Sequence, residues 1–230
     1  MSKPSVLFVF TSADRLLDGA ATGWYLPEAA HPYYVLKPDF NLVAASPKGG
    51  KPPVDENSVK MFTDDESVKF NTTDKEAIAW IENTHKIKDL NAKDYAAVFV
   101  VGGHGPLIDL AVDKDFAQLL QDFYAAKKPI SAVCHGPGGL VLATKPNSSE
   151  SILAGATLTG FSNSEEAQTP YNDFTNILPF SLEDKLASLG SFVKGDDWGV
   201  KVVYDKGILT GQNPASAKAL GEKLSEILKA

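Results

Sequence analysis

Four short runs dense in valine, isoleucine, phenylalanine and alanine punctuate the chain: Ser5–Phe10 (SVLFVF), Asn41–Ser46 (NLVAAS), Ala96–Val101 (AAVFVV) and Ile130–Cys134 (ISAVC). None alternates polar with apolar positions. Such runs suit strands covered on both faces, as in a parallel sheet. A later pair, Val202–Tyr204 and Ile208–Thr210, flanks Asp205, Lys206 and Gly207 and predicts a hairpin.

Between these runs the apolar period lengthens. Thr73 and Glu76 form a capping-box pattern ahead of Ala77, Ile78, Trp80 and Ile81. Phe116, Leu119, Leu120 and Phe123 share one helical face within residues 116–126. Asn213 and Pro214 supply an N-cap and a first-turn proline, and Ala217, Leu220, Leu224, Ile227 and Leu228 come after them at helical spacing. Strands alternating with helices predict an α/β fold: a doubly wound, mostly parallel sheet with helices on both faces. Loop-like composition at 48–57 and 145–151 brings no linker or repeat with it. Residues 1–230 therefore read as one domain.

Composition narrows the function. The net charge is −7 and no Lys/Arg-rich block occurs, which argues against nucleic acid as a partner. No run approaches the length of a membrane span, and the N-terminal apolar run lacks the pattern of a signal peptide. A single cysteine cannot close an intramolecular disulfide and suits a reducing, cytoplasmic setting.

That cysteine, Cys134, stands where an apolar strand ends in Ala-Val-Cys-His-Gly-Pro-Gly-Gly, residues 132–139. Small residues around a nucleophile permit a sharp strand-to-helix turn, the nucleophile elbow. A thiol there sits at the carboxyl end of the sheet, where open α/β folds bind ligands. A helix N-terminus beside it would favour the thiolate. The bland alternative is a small buried hydrophobe. His135 is either the acid–base partner or a turn histidine bonded to backbone.

A second glycine cluster, VVGGHGP at 100–106, also follows an apolar run. The Gly103 backbone is a candidate oxyanion donor and His104 a candidate substrate contact. Glu28 lies in apolar, aromatic surroundings (WYLPEAAHPYY). Buried and protonated, it would donate to a thiolate; exposed, it is an ordinary first-turn residue after Pro27.

Taken together, PEAAHP (27–32), VVGGHGP (100–106), AVCHGPGGL (132–140), LTGFSNSEE (158–166) and LTGQNPASA (209–217) resemble the ThiJ/PfpI superfamily. The resemblance is to its branch of heat-shock chaperones and glutathione-independent glyoxalases (glyoxalase III, D-lactate dehydratase). It spans nearly the whole chain. It implies a flavodoxin-like fold of the class I glutamine amidotransferase type, commonly dimeric. It makes Cys134 the nucleophile, His135 its partner and Glu166 the acid orienting that histidine, with Glu165 as the alternative if the segment after Phe161 aligns one residue differently. Glu28 becomes the acid touching the thiol and Gly103 the oxyanion-site glycine.

The chemistry implied is conversion of methylglyoxal and water to D-lactate through a cysteine hemithioacetal, with no metal, glutathione or other cofactor. Two rival readings use the same thiol: a stress-related holdase for unfolded clients with a redox-sensing cysteine, and a cysteine amidase, peptidase or deglycase. A metal site of Cys134, His135 and His104 lacks regular ligand spacing. No G-x-G-x-x-G comes after the first strand, where FTSADRLLDG stands instead.

Overall fold

The computed structural model describes residues 3–170 and 174–230. In chain order the strands are β1 (Ser5–Val9), β2 (Asn41–Ser46), β3 (His85–Lys86), β4 (Ala97–Val100), β5 (Ile130–Val133), β6 (Thr157–Leu158), β7 (Ser191–Phe192), β8 (Val202–Asp205) and β9 (Ile208–Gly211). The helices are α1 (Leu26–Leu36), α2 (Glu56–Met61), α3 (Asp65–Thr72), α4 (Lys75–Glu82), α5 (Gly105–Ile108), α6 (Lys114–Ala125), α7 (Asn163–Glu166), α8 (Phe174–Ile177), α9 (Leu182–Leu189) and α10 (Ala217–Lys229).

Seven strands form one sheet in the order β3-β2-β1-β4-β5-β9-β8. All neighbours are parallel except β8 and β9, which pair antiparallel as the predicted hairpin. The chain moves from β1 outward to β2 and β3, then returns to β4 on the other side of β1. Right-handed crossovers put α1, between β1 and β2, and α6, between β4 and β5, on opposite faces of the sheet. This is the flavodoxin-like, doubly wound α/β architecture the sequence predicts, with its topological switch at β1 and β4.

The apolar runs form strands because both faces are covered. Val6 to Val9, Ala97 to Val100 and Ile130 to Val133 are fully or almost fully buried. Phe8 stacks on Phe99 with ring centroids 4.8 Å apart and meets Trp80 edge-on at 5.3 Å. Helix α1 packs chiefly on α10 and α3. Its close approach to α10 depends on Gly221, where a Cβ would press on Pro32 at 3.1–3.2 Å.

One local expectation is corrected. The cap of α4 is Asp74, not Thr73: its carboxylate accepts from the Glu76 and Ala77 N–H groups at 3.1 Å. Asp is as good an N-cap as Thr, and one residue nearer the apolar face. The helix predicted over 116–126 begins earlier, at Lys114, capped by Asp113. Asn213 caps as predicted, but a 3₁₀ turn at Pro214–Ser216 precedes α10. No helix among the described residues is long and apolar enough to cross a membrane.

Phe99, fully buried in the central sheet, gives a direct test of this packing. Phe99→Ala is expected to lower the unfolding free energy by about 3–5 kcal/mol. Urea titration should show a lower midpoint with an unchanged slope.

Candidate active site

β5 runs parallel between β4 and β9, and its ladder continues one residue past the strand. Cys134 N–H donates to Gly211 O at 2.9 Å, and Phe161 N–H donates to Cys134 O at 2.9 Å. Between these bonds Cys134 holds a φ of +59°, a region that non-glycine residues seldom enter. The strained turn has the backbone geometry expected of a nucleophile elbow. Gly136 makes the turn possible, because a Cβ there would sit 2.6 Å from Val100 O.

The thiol meets His135 directly. Sγ lies 3.4 Å from His135 Nδ1, while His135 Nε2 donates to Glu166 Oε2 at 2.6 Å. The other oxygen of Glu166 accepts from His104 Nε2 at 2.7 Å. One carboxylate thus serves two imidazoles, whose rings lie 4.2 Å apart. Burial opposes ionisation of Glu166, but the two histidines outweigh it and hold the carboxyl well below its usual range. An ionised carboxylate only accepts, so each imidazole presents Nε2–H to it. Neutral His135 then carries its lone pair on Nδ1, facing the sulfur. Burial, reinforced by His104 nearby, keeps His135 below its ordinary value of 6.5.

On the other side of the thiol is Glu28, in the first turn of α1 and fully buried. Neither of its carboxyl oxygens has a partner at ordinary hydrogen-bond geometry. Burial drives its pKa well up, against the smaller opposing influence of the Cys134 thiol and the Gly102 N–H nearby. The group therefore keeps its proton well above the usual carboxyl range and can donate an O–H. A side chain at Gly102 would collide with Glu28 Oε2, so this glycine is required for the acid to approach the elbow. The thiol's own pKa is also raised, chiefly by burial and further by the ionised Glu166 carboxylate.

The expectation of a thiolate favoured by a helix N-terminus is therefore corrected. Cys134 leads into a short 3₁₀ turn, Gly136–Leu140, too short for a substantial dipole. Burial favours the protonated thiol, which has the His135 Nδ1 3.4 Å away and the Glu28 carboxyl nearby.

The two adjacent glutamates of α7 part company. Glu166 goes to the histidines. Glu165, also fully buried, is a structural node: Oε2 accepts from Ser162 N–H and Oγ–H, and Oε1 accepts from Trp198 N–H at 2.9 Å and Asn213 Nδ2 at 2.8 Å. Ser162 and Glu165 form a capping box. Trp198, at a φ of +61°, is thereby held at the mouth of the site. Local sequence assigns Trp198 no role; the Asp196-Asp197-Trp198-Gly199 run signals a turn, but not what the turn faces.

A cavity of about 590 Å³ opens over the elbow, walled by Tyr25, Phe62, His104, Cys134, Phe161 and Trp198. Gly103 also lines it, at a φ of +84° with the backbone of Gly23–Tyr25 packed against its Cα. Thus Cys134, His135, Glu166, Glu28, Gly103 and His104 converge from the ends of β4 and β5, from α1 and from α7. For metal binding, His104, His135 and Glu166 offer ligand atoms within 4.8 Å of one another, a set in which Glu166 replaces the Cys134 considered from sequence. Both Nε2–H groups are spent on the carboxylate, so a cation would have to displace two short hydrogen bonds.

A profile of the DJ-1/PfpI family matches residues 20–227. The glutathione-independent glyoxalase HSP31 of Saccharomyces cerevisiae is 27% identical over 236 residues, covering 100% of both chains. Among solved structures, the 24 kDa rapid encystment protein of Francisella tularensis superposes with a TM-score of 0.90 at 33% identity, over 99% of each chain. Glyoxalase III of Candida albicans superposes with a TM-score of 0.83 at 27% identity, over 97% of this chain and 96% of its own.

The neutral state of Glu28 has a consequence for stability. Unfolding exposes a carboxyl that ionises near 4.5, whereas the folded one keeps its proton well above that value. The folded state binds more protons across that window, so this contribution is full below 4.5 and is lost as pH rises toward the folded pKa. Glu28→Gln removes the slope, which is at most about 1.4 kcal/mol per pH unit. Thermal unfolding followed from about pH 5 to pH 8 should show the variant gaining on the wild type with rising pH. Parallel curves would contradict a neutral Glu28.

Proposed function

The chain belongs to the DJ-1/PfpI family, and on that footing we propose that it is a glutathione-independent glyoxalase converting methylglyoxal and water to D-lactate. The observation that carries the reading is the relay from Cys134 Sγ through His135 to Glu166, with spacings of 3.4 and 2.6 Å. The glyoxalase relatives of yeast and Candida, alike over their full length, support it.

In this mechanism His135 Nδ1 accepts the thiol proton as Sγ bonds to the aldehyde carbon, C1. The proton passes to the aldehyde oxygen, giving a hemithioacetal and restoring neutral His135. Glu166 keeps the imidazole in the productive tautomer and stabilises its transient charge, as the carboxylate of a hydrolase triad does. His135 then removes the hydrogen of C1 while the Glu28 O–H protonates the oxygen on C2, forming an enediol. Return of a proton to C2, with restoration of the Glu28 proton, yields the lactoyl thioester. C1 is oxidised as C2 is reduced, so no external electron carrier enters. Water then cleaves the thioester and frees the thiol.

The Gly103 backbone would steady the negative oxygen, and His104, tied to Glu166, would contact the substrate; both line the cavity. The protein thiol takes the part that a glutathione thiol would play. A lone cysteine without a disulfide partner fits a cytoplasmic setting.

Purified, reduced protein is expected to form D-lactate from methylglyoxal without glutathione, and a chelator should leave the rate unchanged. Cys134→Ala and His135→Ala should each lower kcat by about a thousandfold or more. A folded, reduced wild type that makes no D-lactate would sink the reading.

The pH profile supplies an independent check. Protonating Nδ1 removes the base, so kcat/KM should fall as pH drops through the pKa of His135. Since burial lowers that pKa, the acid limb is expected below the ordinary 6.5. A limb centred above that value would contradict the assignment of His135 as base.

A further inference from the structure

A three-carbon aldehyde occupies roughly 100 Å³, a few waters' worth, whereas the cavity above Cys134 holds about 590 Å³. With C1 bonded to Sγ at the floor, only the substituent on C2 can enter the remaining space. The walls there are aromatic. Tyr25 and Phe62 meet edge to face with centroids 5.6 Å apart, and Phe161 and Trp198 do so at 5.5 Å. Phe161 also lies 4.6 Å from the His135 ring, so the aromatic wall reaches the catalytic floor.

Resting on the glyoxalase reading, we infer that this site is built for 2-oxoaldehydes bearing an aromatic substituent, the arylglyoxals, in preference to methylglyoxal. Arylglyoxals keep the reacting carbons unchanged. Water adds overall, C1 passes from aldehyde to carboxylate, C2 passes from ketone to carbinol, and an aryl 2-hydroxy acid leaves.

Three features favour an aryl group over other bulky substituents. First, aromatic rings gain from edge-to-face and offset contacts that aliphatic chains lack. Second, the wall is held in place before substrate arrives. Trp198 N–H is bonded to buried Glu165, and its indole Nε1–H donates to Gln168 Oε1 at 2.8 Å. A preorganised wall spares the ordering cost of binding. Third, the polar side chains beside Trp198 are committed to protein partners. Gln168 Nε2 donates to Ser164 O and Asp197, and the Thr169 hydroxyl donates to Glu166 O. On that side of the cavity a polyhydroxylated substituent would have to compete with these bonds, at a cost that an aryl ring avoids. Large apolar surface meanwhile stands in water at the mouth, with Met61 69% and Trp198 44% exposed, and an aryl ring would cover part of it.

The test compares kcat/KM for phenylglyoxal and methylglyoxal on the purified full-length protein, with mandelate and lactate as products. Phenylglyoxal is expected to exceed methylglyoxal by about tenfold or more, the order of gain from burying a ring. Trp198→Ala and, separately, Phe62→Ala should cut that ratio severalfold, because a loss common to both substrates cancels in the ratio. Turnover of methylglyoxal with a ratio at or below one overturns this inference and leaves the glyoxalase reading standing. A ratio unmoved by both substitutions overturns the aromatic wall as its cause. Turnover of neither aldehyde by the wild type overturns the glyoxalase reading and this inference with it.

Discussion

The site depends on a cysteine forced into the left-handed region at the end of a central strand. A φ of +59° at Cys134 is tolerated because the surroundings leave the backbone no alternative. Its N–H is locked to β9 and its carbonyl to Phe161, and Gly136 fits where any side chain would strike Val100 O. The central strands are buried on both faces, so the turn cannot relax without disturbing the core beneath it. The strain is borne by the whole sheet. It points the sulfur out of the strand toward groups delivered by β4, α1 and α7.

Those groups include two carboxyl groups in opposite protonation states. Glu28 is buried without ordinary partners and keeps its proton. Glu166 is nearly as buried, yet two imidazole N–H groups keep it ionised. Burial alone would raise both; the hydrogen-bond partners separate them. A thiol between a neutral acid and a neutral base need not be ionised at rest, and its proton has a receiver 3.4 Å away.

The second tier of the site is built by residues that do no chemistry. Glu165 accepts four hydrogen bonds, tying the start of α7 to the Trp198 turn and to Asn213 ahead of α10. Gly102 and Gly103 let the backbone after β4 pass beneath Glu28 and the Gly23–Tyr25 segment. That segment is in turn pinned to the loop before α2, where Trp24 N–H donates to Pro53 O and Asp55 N–H to Trp24 O. The floor around Cys134 and the turn carrying Trp198 are thus joined by hydrogen bonds.

Much of this was legible in the order of residues. Unbroken apolar runs report strands covered on both faces, and a periodic face reports a helix, because burial periodicity is local information. The elbow was legible for the same reason: a sharp turn needs small neighbours at fixed offsets, and Ala132, Gly136 and Gly138 stand there. The family motifs carried Glu28 and Glu166 to the thiol. Beyond them, the resemblance favoured Glu166 but kept Glu165 as an alternative, and sequence offered His104 no link to the relay and Trp198 no role. The cap at Asp74 was missed by one residue, since neighbouring side chains can satisfy the same N–H groups. The thiol's electrostatics were misjudged because a helix N-terminus was expected where a 3₁₀ turn stands. The sequence by itself determined the sheet, the elbow and the residue types available for chemistry. Only the tertiary structure decided which carboxyl group is neutral, which is ionised, and which wall the substrate meets. Protonation and cavity shape arise from burial and from partners remote along the chain, such as Glu28 beside Cys134 and His104 beside Glu166, which no local pattern encodes.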